Sequence, residues 1–356
     1  MWVHKAYTPE YMDQILEMTQ EHYGSENDIS NLEFLQHQYF GNYAGDALID
    51  LAVDPEDGKL AGQYVVWPIR FSVFEKPSQA VISLNTLTRE KYRGQGIFTK
   101  LAEGVYQRAA DTGYAFCCGM PNPNSYPGFM KKLSFRELGK MPLLLRPLKP
   151  SQMIQEFMHS SALGVVTRPV DLFFHIKCKS DKRIDVVSIS KENVDLMDSF
   201  WEKVKCKYPV MSIRDKVFIR YRYLDMPRRT YFPYLAMQDG EPVCFAVGRI
   251  MEVAGMQCAM LADFMFVDGY ETAAEKLLNQ LLSEMKKQGA GLSGCLMLDH
   301  TQEYEFLKKH EFFRCPRKLE PQPFPLILRA FDKNLEEKGI YNAKNWFFTM
   351  GDYDVI

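Results

Sequence analysis

The fold is decided by the stretch Tyr92-Arg93-Gly94-Gln95-Gly96-Ile97-Phe98-Thr99-Lys100-Leu101. An apolar, β-branched run precedes it at residues 81–88, and helical spacing of apolar residues follows it. The pattern predicts a strand, a glycine loop and a helix. Two glycines let the backbone turn tightly and approach a ligand closely. Unpaired N–H groups from Gln95 to Thr99, beside Arg93 and Lys100, then form a site for an anion.

The spacing of the glycines does not match the usual nucleotide-binding loops, because the P-loop lysine and the third dinucleotide-loop glycine are both missing. The stretch resembles motif A of the GNAT superfamily of acyl-CoA N-acyltransferases. Tyr92, Arg93, Gly96 and Ile97 match that motif, whereas Phe98 stands where glycine or alanine is commoner. The resemblance implies an α/β fold in which a central mixed sheet is flanked by helices.

In this family the loop amides hold the pyrophosphate of coenzyme A, and the preceding strand splays from its neighbour and offers its backbone to the pantetheine arm. The coenzyme-binding residues that the resemblance implies are Thr86, Leu87, Thr88, Arg93, Gly94, Gln95, Gly96, Ile97, Phe98, Thr99, Asn122, Asn124 and Ser125. For Asn122, Asn124 and Ser125, turn formation and helix capping explain the residue types equally well.

Acyl transfer from a thioester to an amine needs an oxyanion donor, an acid for the leaving thiolate and a route for the amine proton. The resemblance implies that the oxyanion donor is a backbone amide around Leu87. Met130 replaces the usual tyrosine acid, so Tyr126 is the candidate acid, unless it only closes the loop before it. Ser83 and Asn85 alternate with apolar residues and are expected to hold a proton-relaying water in the cleft.

Composition limits the class of protein. The chain has 356 residues, 46% of them hydrophobic and 25% charged, which suits two globular domains. A net charge of −2 argues against a general nucleic-acid or membrane binder. No signal peptide or membrane span is expected, and scattered histidines and cysteines predict no metal site. Cys117 and Cys118 are predicted as buried thiols in a reducing, cytoplasmic compartment.

Two similar halves are predicted. The catalytic GNAT domain spans residues 1–148 and ends in a strand pair over Phe135–Leu148, a connector covers 149–182, and a second GNAT-like domain covers 183–356. Asp239-Gly240 corresponds to Asp57-Gly58, and other matches recur at similar offsets of about 180 residues. Chance alignment of common dipeptides is the alternative explanation.

The second half is expected to be a degenerate copy that shapes the substrate cleft, supports an interface, or both. Its loop reads Phe266-Val267-Asp268-Gly269-Tyr270-Glu271, and the two carboxylates would repel a phosphate. One coenzyme site, in the first half, is therefore predicted. The apolar tail from Trp346 is expected to pack. In one interpretation Asp352 or Asp354 receives a cationic amine in the cleft; in the other, both are solvated on an edge strand.

The sequence thus predicts a metal-free N-acyltransferase that uses acetyl-CoA or another acyl-CoA as co-substrate. Direct transfer in a ternary complex is expected, to a small-molecule amine for which an amino sugar is the preferred class. The protein is expected to be a monomer or homodimer without nucleic-acid or membrane partners. Two alternatives stay open: a non-catalytic acyl-CoA-binding regulatory or scaffold protein, and an aminoacyl or peptidyl transferase that uses aminoacyl-tRNA.

Overall fold

The chain forms two mixed β-sheets, each flanked by helices. The computed structural model describes residues 1–157, 169, 171, 176, 181–253 and 255–353. The strands are β1 (Val3–Ala6), β2 (Leu48–Val53), β3 (Leu60–Val73), β4 (Lys76–Thr88), β5 (Phe116–Gly119), β6 (Arg136–Lys140), β7 (Leu143–Pro147), β8 (Ile184–Ser188), β9 (Val210–Ser212), β10 (Phe232–Gln238), β11 (Glu241–Val253), β12 (Met256–Phe266), β13 (Leu292–Leu296), β14 (Phe313–Arg314) and β15 (Pro325–Ala330).

The α-helices connect these strands or follow the last of them. They are α1 (Met12–Tyr23), α2 (Leu32–Phe40), α3 (Ile97–Asp111), α4 (Tyr126–Lys132), α5 (Pro150–Phe157), α6 (Leu196–Val204), α7 (Lys216–Ile219), α8 (Glu271–Lys287), α9 (Gln302–Lys309) and α10 (Asn334–Glu337). Helix α5 lies in the predicted connector, and most of residues 158–180 of that connector lie outside the described residues.

The first sheet has the strand order β1-β2-β3-β4-β5-β15-β6, with β9 pairing β3. Strands β2, β3 and β4 run antiparallel, and the crossover through the glycine loop and α3 makes β5 parallel to β4. Nearly every residue of β3 is buried. Helices cover one face of the first sheet, and the second half of the chain packs near the opposite face.

The second sheet repeats this plan with the order β14-β7-β13-β12-β11-β10-β8. Strands β10, β11 and β12 are again antiparallel, and β13 is parallel to β12 across α8. The hairpin glycines Gly58 and Gly240 both have positive φ, +70° and +83°. The tandem two-domain organisation predicted from the sequence therefore fits the two sheets.

The two halves exchange their last strands, which the sequence does not predict. Strand β7 leaves the first half and pairs with β13 and β14 in the second sheet. Strand β15 returns and inserts between β5 and β6 in the first sheet. The predicted strand pair over Phe135–Leu148 is therefore wrong, because β6 and β7 lie in different sheets. The domain boundary at residue 148 stays a prediction. One strand from each side of it, β7 and β15, belongs to the sheet of the other half.

A buried arginine ties the tail to the second sheet. Arg214 donates to Asp263 and to Asp352, each at 2.9 Å, and all three side chains are inaccessible to solvent. Arg214 also donates to the Ser212 hydroxyl at 2.8 Å and to the Thr349 hydroxyl at 3.1 Å. Burial alone would lower the pKa of Arg214, but the two carboxylates outweigh burial and raise it. The charged network thus fixes the tail's position.

Replacing Arg214 with leucine is predicted to lower the free energy of unfolding by about 3–5 kcal/mol, because two buried carboxylates lose their counterion. Urea denaturation followed by tryptophan fluorescence measures the change. The matched control is Arg183→Leu, which removes an exposed guanidinium paired with Asp181 and should change stability little. Equal stability of the two variants would contradict a structural role for the Arg214 network.

Candidate functional site

A cleft opens where β4 and β5 separate. The two strands pair at only two positions, Val81 with Cys117 and Ile82 with Cys118. Beyond these pairs they diverge, and a cleft of about 400 Å³ lies between them. Its walls from the first half are Tyr23, Asn27, Ile29, Ser83, Leu84, Asn85, Thr86, Gly119, Met120, Pro121, Asn122, Ser125 and Phe129. The diverging strands leave space for an extended ligand along the backbone of β4.

A β-bulge shapes the β4 wall of the cleft. The register with β3 shifts between Gln63 and Val65, and Asn85 has a left-handed backbone with φ +46°. A bulge leaves its extra residue outside the regular ladder and redirects the side chains that follow. Consequently Asn85 and Thr86 line the cleft, whereas Leu87 pairs with Gln63 and does not. Leu87, around which the oxyanion donor is predicted, therefore lies outside the lining of the cleft, next to the bulge.

Asn85 is held firmly in this conformation. Its side-chain amide donates to Gln38 Oε1 at 2.6 Å and to the Tyr39 hydroxyl at 3.2 Å. Gln63 Nε2 in turn donates to the Asn85 carbonyl at 2.8 Å. Ser83 also lines the cleft, and its hydroxyl lies 2.9 Å from the buried Tyr64 hydroxyl. The structure therefore places both predicted water-holding residues, Ser83 and Asn85, at the cleft.

The glycine loop lies exposed at the start of α3. Gly94 and Gly96 have φ of +80° and +78°, a conformation that favours glycine, and Gly96 is the residue that caps the helix. The first N–H groups of a helix have no acceptor within it, so those after Gly96 are available to an anion. The Tyr92 hydroxyl donates to Asp54, which fixes the entry to the loop. Within the loop Arg93, Gly94 and Gln95 are exposed.

Phe98, the departure from the family motif, packs between the loop and the cleft. Its ring makes edge contacts with Tyr64 and Phe129, at centroid distances of 5.6 and 5.3 Å. A Cβ on Gly128 of α4 would come within 2.7 Å of this ring. The absence of a side chain at Gly128 therefore provides the room that Phe98 needs at the start of α3.

The loop before α4 forms a turn, and part of it lines the cleft. Asn122 Oδ1 accepts from the backbone amides of Asn124 and Ser125, each at 3.0 Å. This is the turn geometry that the sequence left as an alternative. Asn122 and Ser125 line the cleft, whereas the exposed Asn124 is not among the lining residues.

Tyr126 lies beside the cleft, not in its wall. Its hydroxyl donates to Glu137 Oε2 at 2.6 Å. This hydrogen bond raises the pKa of Tyr126 above the ordinary tyrosine value and so favours the protonated phenol. A reorientation of the side chain away from Glu137 would be needed to bring this proton to a ligand in the cleft.

The second half completes the cleft, through residues that sequence reasoning did not name. Its contributions are Arg229, Leu296, Gln322, Pro323, Phe324, Met350 and Tyr353. The Tyr353 hydroxyl donates to the Met120 carbonyl at 2.9 Å, just past β5. The aromatic composition of the tail was the available signal, and Trp346, Phe347 and Phe348 are fully buried as predicted.

Asp352 matches neither interpretation of the tail. It is fully buried and paired with Arg214, so it is neither a solvated edge residue nor a cleft residue. Asp354 lies outside the described residues. The difference arises because Arg214 is a distant partner that no local pattern connects with the tail.

The corresponding loop of the second half is acidic in the structure as in the sequence. Asp268 pairs with Lys207 at 2.9 Å, and Lys207 also pairs with the buried Glu303 at 2.8 Å. A groove beside this loop is lined by Phe266, Asp268, Glu271, Gln302, Glu305, Phe306, Lys309 and His310. The carboxylates of Asp268, Glu271 and Glu305 face this groove, and their negative charge disfavours the binding of a phosphate there.

Cys117 and Cys118 are fully buried thiols, as predicted. Burial raises the pKa of Cys117 to about 12, which leaves it protonated and a poor nucleophile. Among the residues that the structure describes, no group of three or more His, Cys, Asp or Glu side chains is arranged to hold a metal ion. Within the same part of the chain, no helix combines the length and apolarity that crossing a bilayer requires.

Comparison with known proteins supports the GNAT assignment. Residues 4–137 match the family model described as an acetyltransferase (GNAT) domain. None of the curated protein sequences compared with the chain matches it significantly.

Solved structures resemble nearly the whole chain. The N-myristoyltransferase of Saccharomyces cerevisiae with bound myristoyl-CoA is 12% identical with a TM-score of 0.64, over 92% of this chain and 82% of that one. A GCN5-related N-acetyltransferase of Anabaena variabilis is 10% identical with a TM-score of 0.63, over 93% and 73%. A probable N-acyltransferase of Enterococcus faecalis is 11% identical with a TM-score of 0.61, over 94% and 74%. At these identities the likeness shows the fold.

The contact between Tyr126 and Glu137 predicts a measurable titration. Glu137→Gln should lower the pKa of Tyr126 toward the ordinary tyrosine value of about 10, because the hydrogen-bonded carboxylate is what raises it. Carbon NMR of ring-labelled tyrosine across alkaline pH reports this pKa, with Tyr126→Phe identifying the signal. An unchanged titration in Glu137→Gln would show that the two side chains do not interact in solution.

Proposed function

We propose that this chain is an acyl-CoA-dependent N-acyltransferase, because residues 4–137 match the family model of an acetyltransferase (GNAT) domain. The observation that supports this most is the divergence of β4 from β5 beside an exposed glycine loop at the start of α3. The diverging strands provide space and free backbone for a pantetheine arm, and the loop provides amides for a pyrophosphate. We keep the cytoplasm as the proposed location.

Each segment of the proposed coenzyme site has one task. The amides from Gly94 to Thr99 hold the pyrophosphate, with Arg93 adding positive charge at the loop. Backbone groups of residues 86–88 bond the pantetheine amides from the β4 side, and Asn122 and Ser125 face them across the cleft. The loop of the second half is acidic, with Asp268 paired to Lys207, and is unsuited to a pyrophosphate. This supports a single coenzyme site, in the first half.

The proposed reaction is direct transfer within a ternary complex. The acceptor amine attacks the thioester carbonyl, the C–N bond forms, and the C–S bond breaks. Backbone amides in the bulge, between Asn85 and Leu87, stabilise the oxyanion. A water held by Ser83 and Asn85 takes the proton that the amine loses, and Tyr126 gives a proton to the leaving thiolate. The buried thiols support direct transfer, since the raised pKa of Cys117 is unsuited to an acyl-enzyme intermediate.

The acceptor enters from the side of the second half. Leu296, Met350 and Tyr353 form that wall of the cleft, and Arg229 is the charged residue among the lining residues. A small-molecule amine, with an amino sugar as the preferred class, remains the proposed acceptor. A peptide amine is the second candidate, supported by the likeness in fold to an N-myristoyltransferase over 92% of the chain.

Acetyl-CoA is predicted to bind at one site with a Kd of about micromolar order. Gly96→Glu should abolish this binding, because it adds a carboxylate where the pyrophosphate lies. Isothermal titration calorimetry measures both. Since Gly96 has φ +78°, the control is Gly240→Glu, which adds the same strain and charge at φ +83° in the second half. Equal loss of binding in both variants, or no binding by the parent protein, would contradict the proposed site.

Tyr126→Phe is predicted to lower kcat by about 100-fold with little change in KM for acetyl-CoA, because it removes the acid and leaves the coenzyme contacts intact. Thiol release with a panel of amines, including amino sugars and short peptides, measures turnover. Tyr353→Phe is the comparison variant, since its phenol also lies at the cleft. Full activity of Tyr126→Phe with loss in Tyr353→Phe would move the acid role to Tyr353. Binding without turnover of any amine would favour the regulatory alternative.

A further inference from the structure

The cleft has a buried polar floor at the bulge of β4, which we name by its four residues: Gln38, Tyr39, Gln63 and Asn85. Asn85 faces the cleft, whereas Gln38, Tyr39 and Gln63 lie behind it and are almost inaccessible to solvent, at 2%, 0% and 1%. Building on the proposed function, we propose that this polar floor closes the acyl pocket and restricts the donor to an acetyl-sized acyl group.

Hydrogen bonds make the polar floor continuous. Asn85 Nδ2 donates to Gln38 Oε1 at 2.6 Å and to the Tyr39 hydroxyl at 3.2 Å. Gln63 Nε2 donates to the Asn85 carbonyl at 2.8 Å and lies 3.4 Å from the Tyr39 hydroxyl. An alkyl chain passing between these groups would separate them without providing any hydrogen bond in return.

One atom of the floor argues further against an alkyl chain. Gln63 Oε1 is buried and has no hydrogen-bond partner among the described residues. Its orientation follows from the neighbouring nitrogen, which donates to the Asn85 carbonyl. A buried acceptor without a donor is already unfavourable, and methylenes packed against it would keep it so. The floor is therefore suited to end a pocket and unsuited to line an apolar tunnel.

The size of the cleft leads to the same conclusion. Its volume of about 400 Å³ is near the low end of small-molecule sites, which run from about 300 to 1,000 Å³. That space must hold part of the pantetheine arm and the acceptor as well as the acyl group. In the proposed site the thioester lies close to the polar floor, because the proposed oxyanion donors and Asn85, the floor residue that faces the cleft, belong to the same segment of β4.

The test is calorimetric titration of the intact chain with CoA, acetyl-CoA, hexanoyl-CoA and octanoyl-CoA. In an open apolar tunnel each added methylene would tighten binding by about fourfold. The polar floor predicts the opposite: CoA and acetyl-CoA should bind within about threefold of each other, and hexanoyl-CoA and octanoyl-CoA at least about tenfold more weakly. Long chains that bind as tightly as acetyl-CoA, or more tightly, would overturn the inference.

A variant series identifies the floor as the cause. Gln38→Ala with Gln63→Ala removes its inner side, and should bring octanoyl-CoA to within about threefold of acetyl-CoA. The matched control is Gln79→Ala, the same truncation on β4, where Gln79 donates to the Ala44 carbonyl away from the cleft. A double variant that folds, as judged by its thermal transition, and still rejects octanoyl-CoA would overturn the role of the floor.

The binding of CoA without an acyl group distinguishes a failure of the proposed function from a failure of the inference about the polar floor. If CoA itself fails to bind, the proposed function fails and the inference falls with it. If CoA binds and chain length has no effect, the proposed function stands and the polar floor is not a specificity determinant. If the double variant unfolds, the series with the parent protein still decides between these outcomes.

Discussion

The separation of β4 from β5 is the constraint on which the cleft depends. Strand β5 has four residues, is bonded on its far side by β15, and pairs with β4 only as far as Ile82. On the other side, the bulge at Asn85 turns β4 away from the line that β5 takes. A ligand can therefore lie between two strands of one sheet, with backbone groups along β4 in reach.

The second half is a structural part of the site although its own loop is acidic. It supplies β15, which holds β5, and a tail whose Met350 and Tyr353 form a wall of the cleft. Arg214 holds that tail through Asp352, and Arg222 adds a bond to the Gly351 carbonyl at 3.1 Å. The acidic loop around Asp268 is compatible with these roles, because none of them uses that loop.

Features set by neighbouring residues could be predicted from the sequence. The glycine loop, α3 and the buried run of β4 follow from spacing that is local, as do the hairpins at Gly58 and Gly240. The acidic loop at Asp268 is likewise visible in the chain itself. These features need no knowledge of what lies far away in sequence, so periodicity and turn chemistry are sufficient.

Pairings between distant residues could not be predicted. Nothing local in residues 143–147 distinguishes a partner in the first sheet from one in the second, since either sheet buries the same apolar side chains. The left-handed Asn85 depends on Gln38, Tyr39 and Gln63, and the burial of Asp352 depends on Arg214. Tyr126 was assigned from its chain position, and its contact with Glu137 depends on how β6 packs beside α4.

Amide hydrogen exchange with and without CoA tests the coenzyme site most directly, because it reports on every segment of the backbone at once. The account predicts that saturating CoA slows exchange at residues 84–88 and 94–99, the strand that diverges and the loop that follows it. Exchange around Asp268 and Glu271 in the second half should be unaffected. Protection confined to the second half, or none at either loop, would contradict the assignment of the cleft as a coenzyme site.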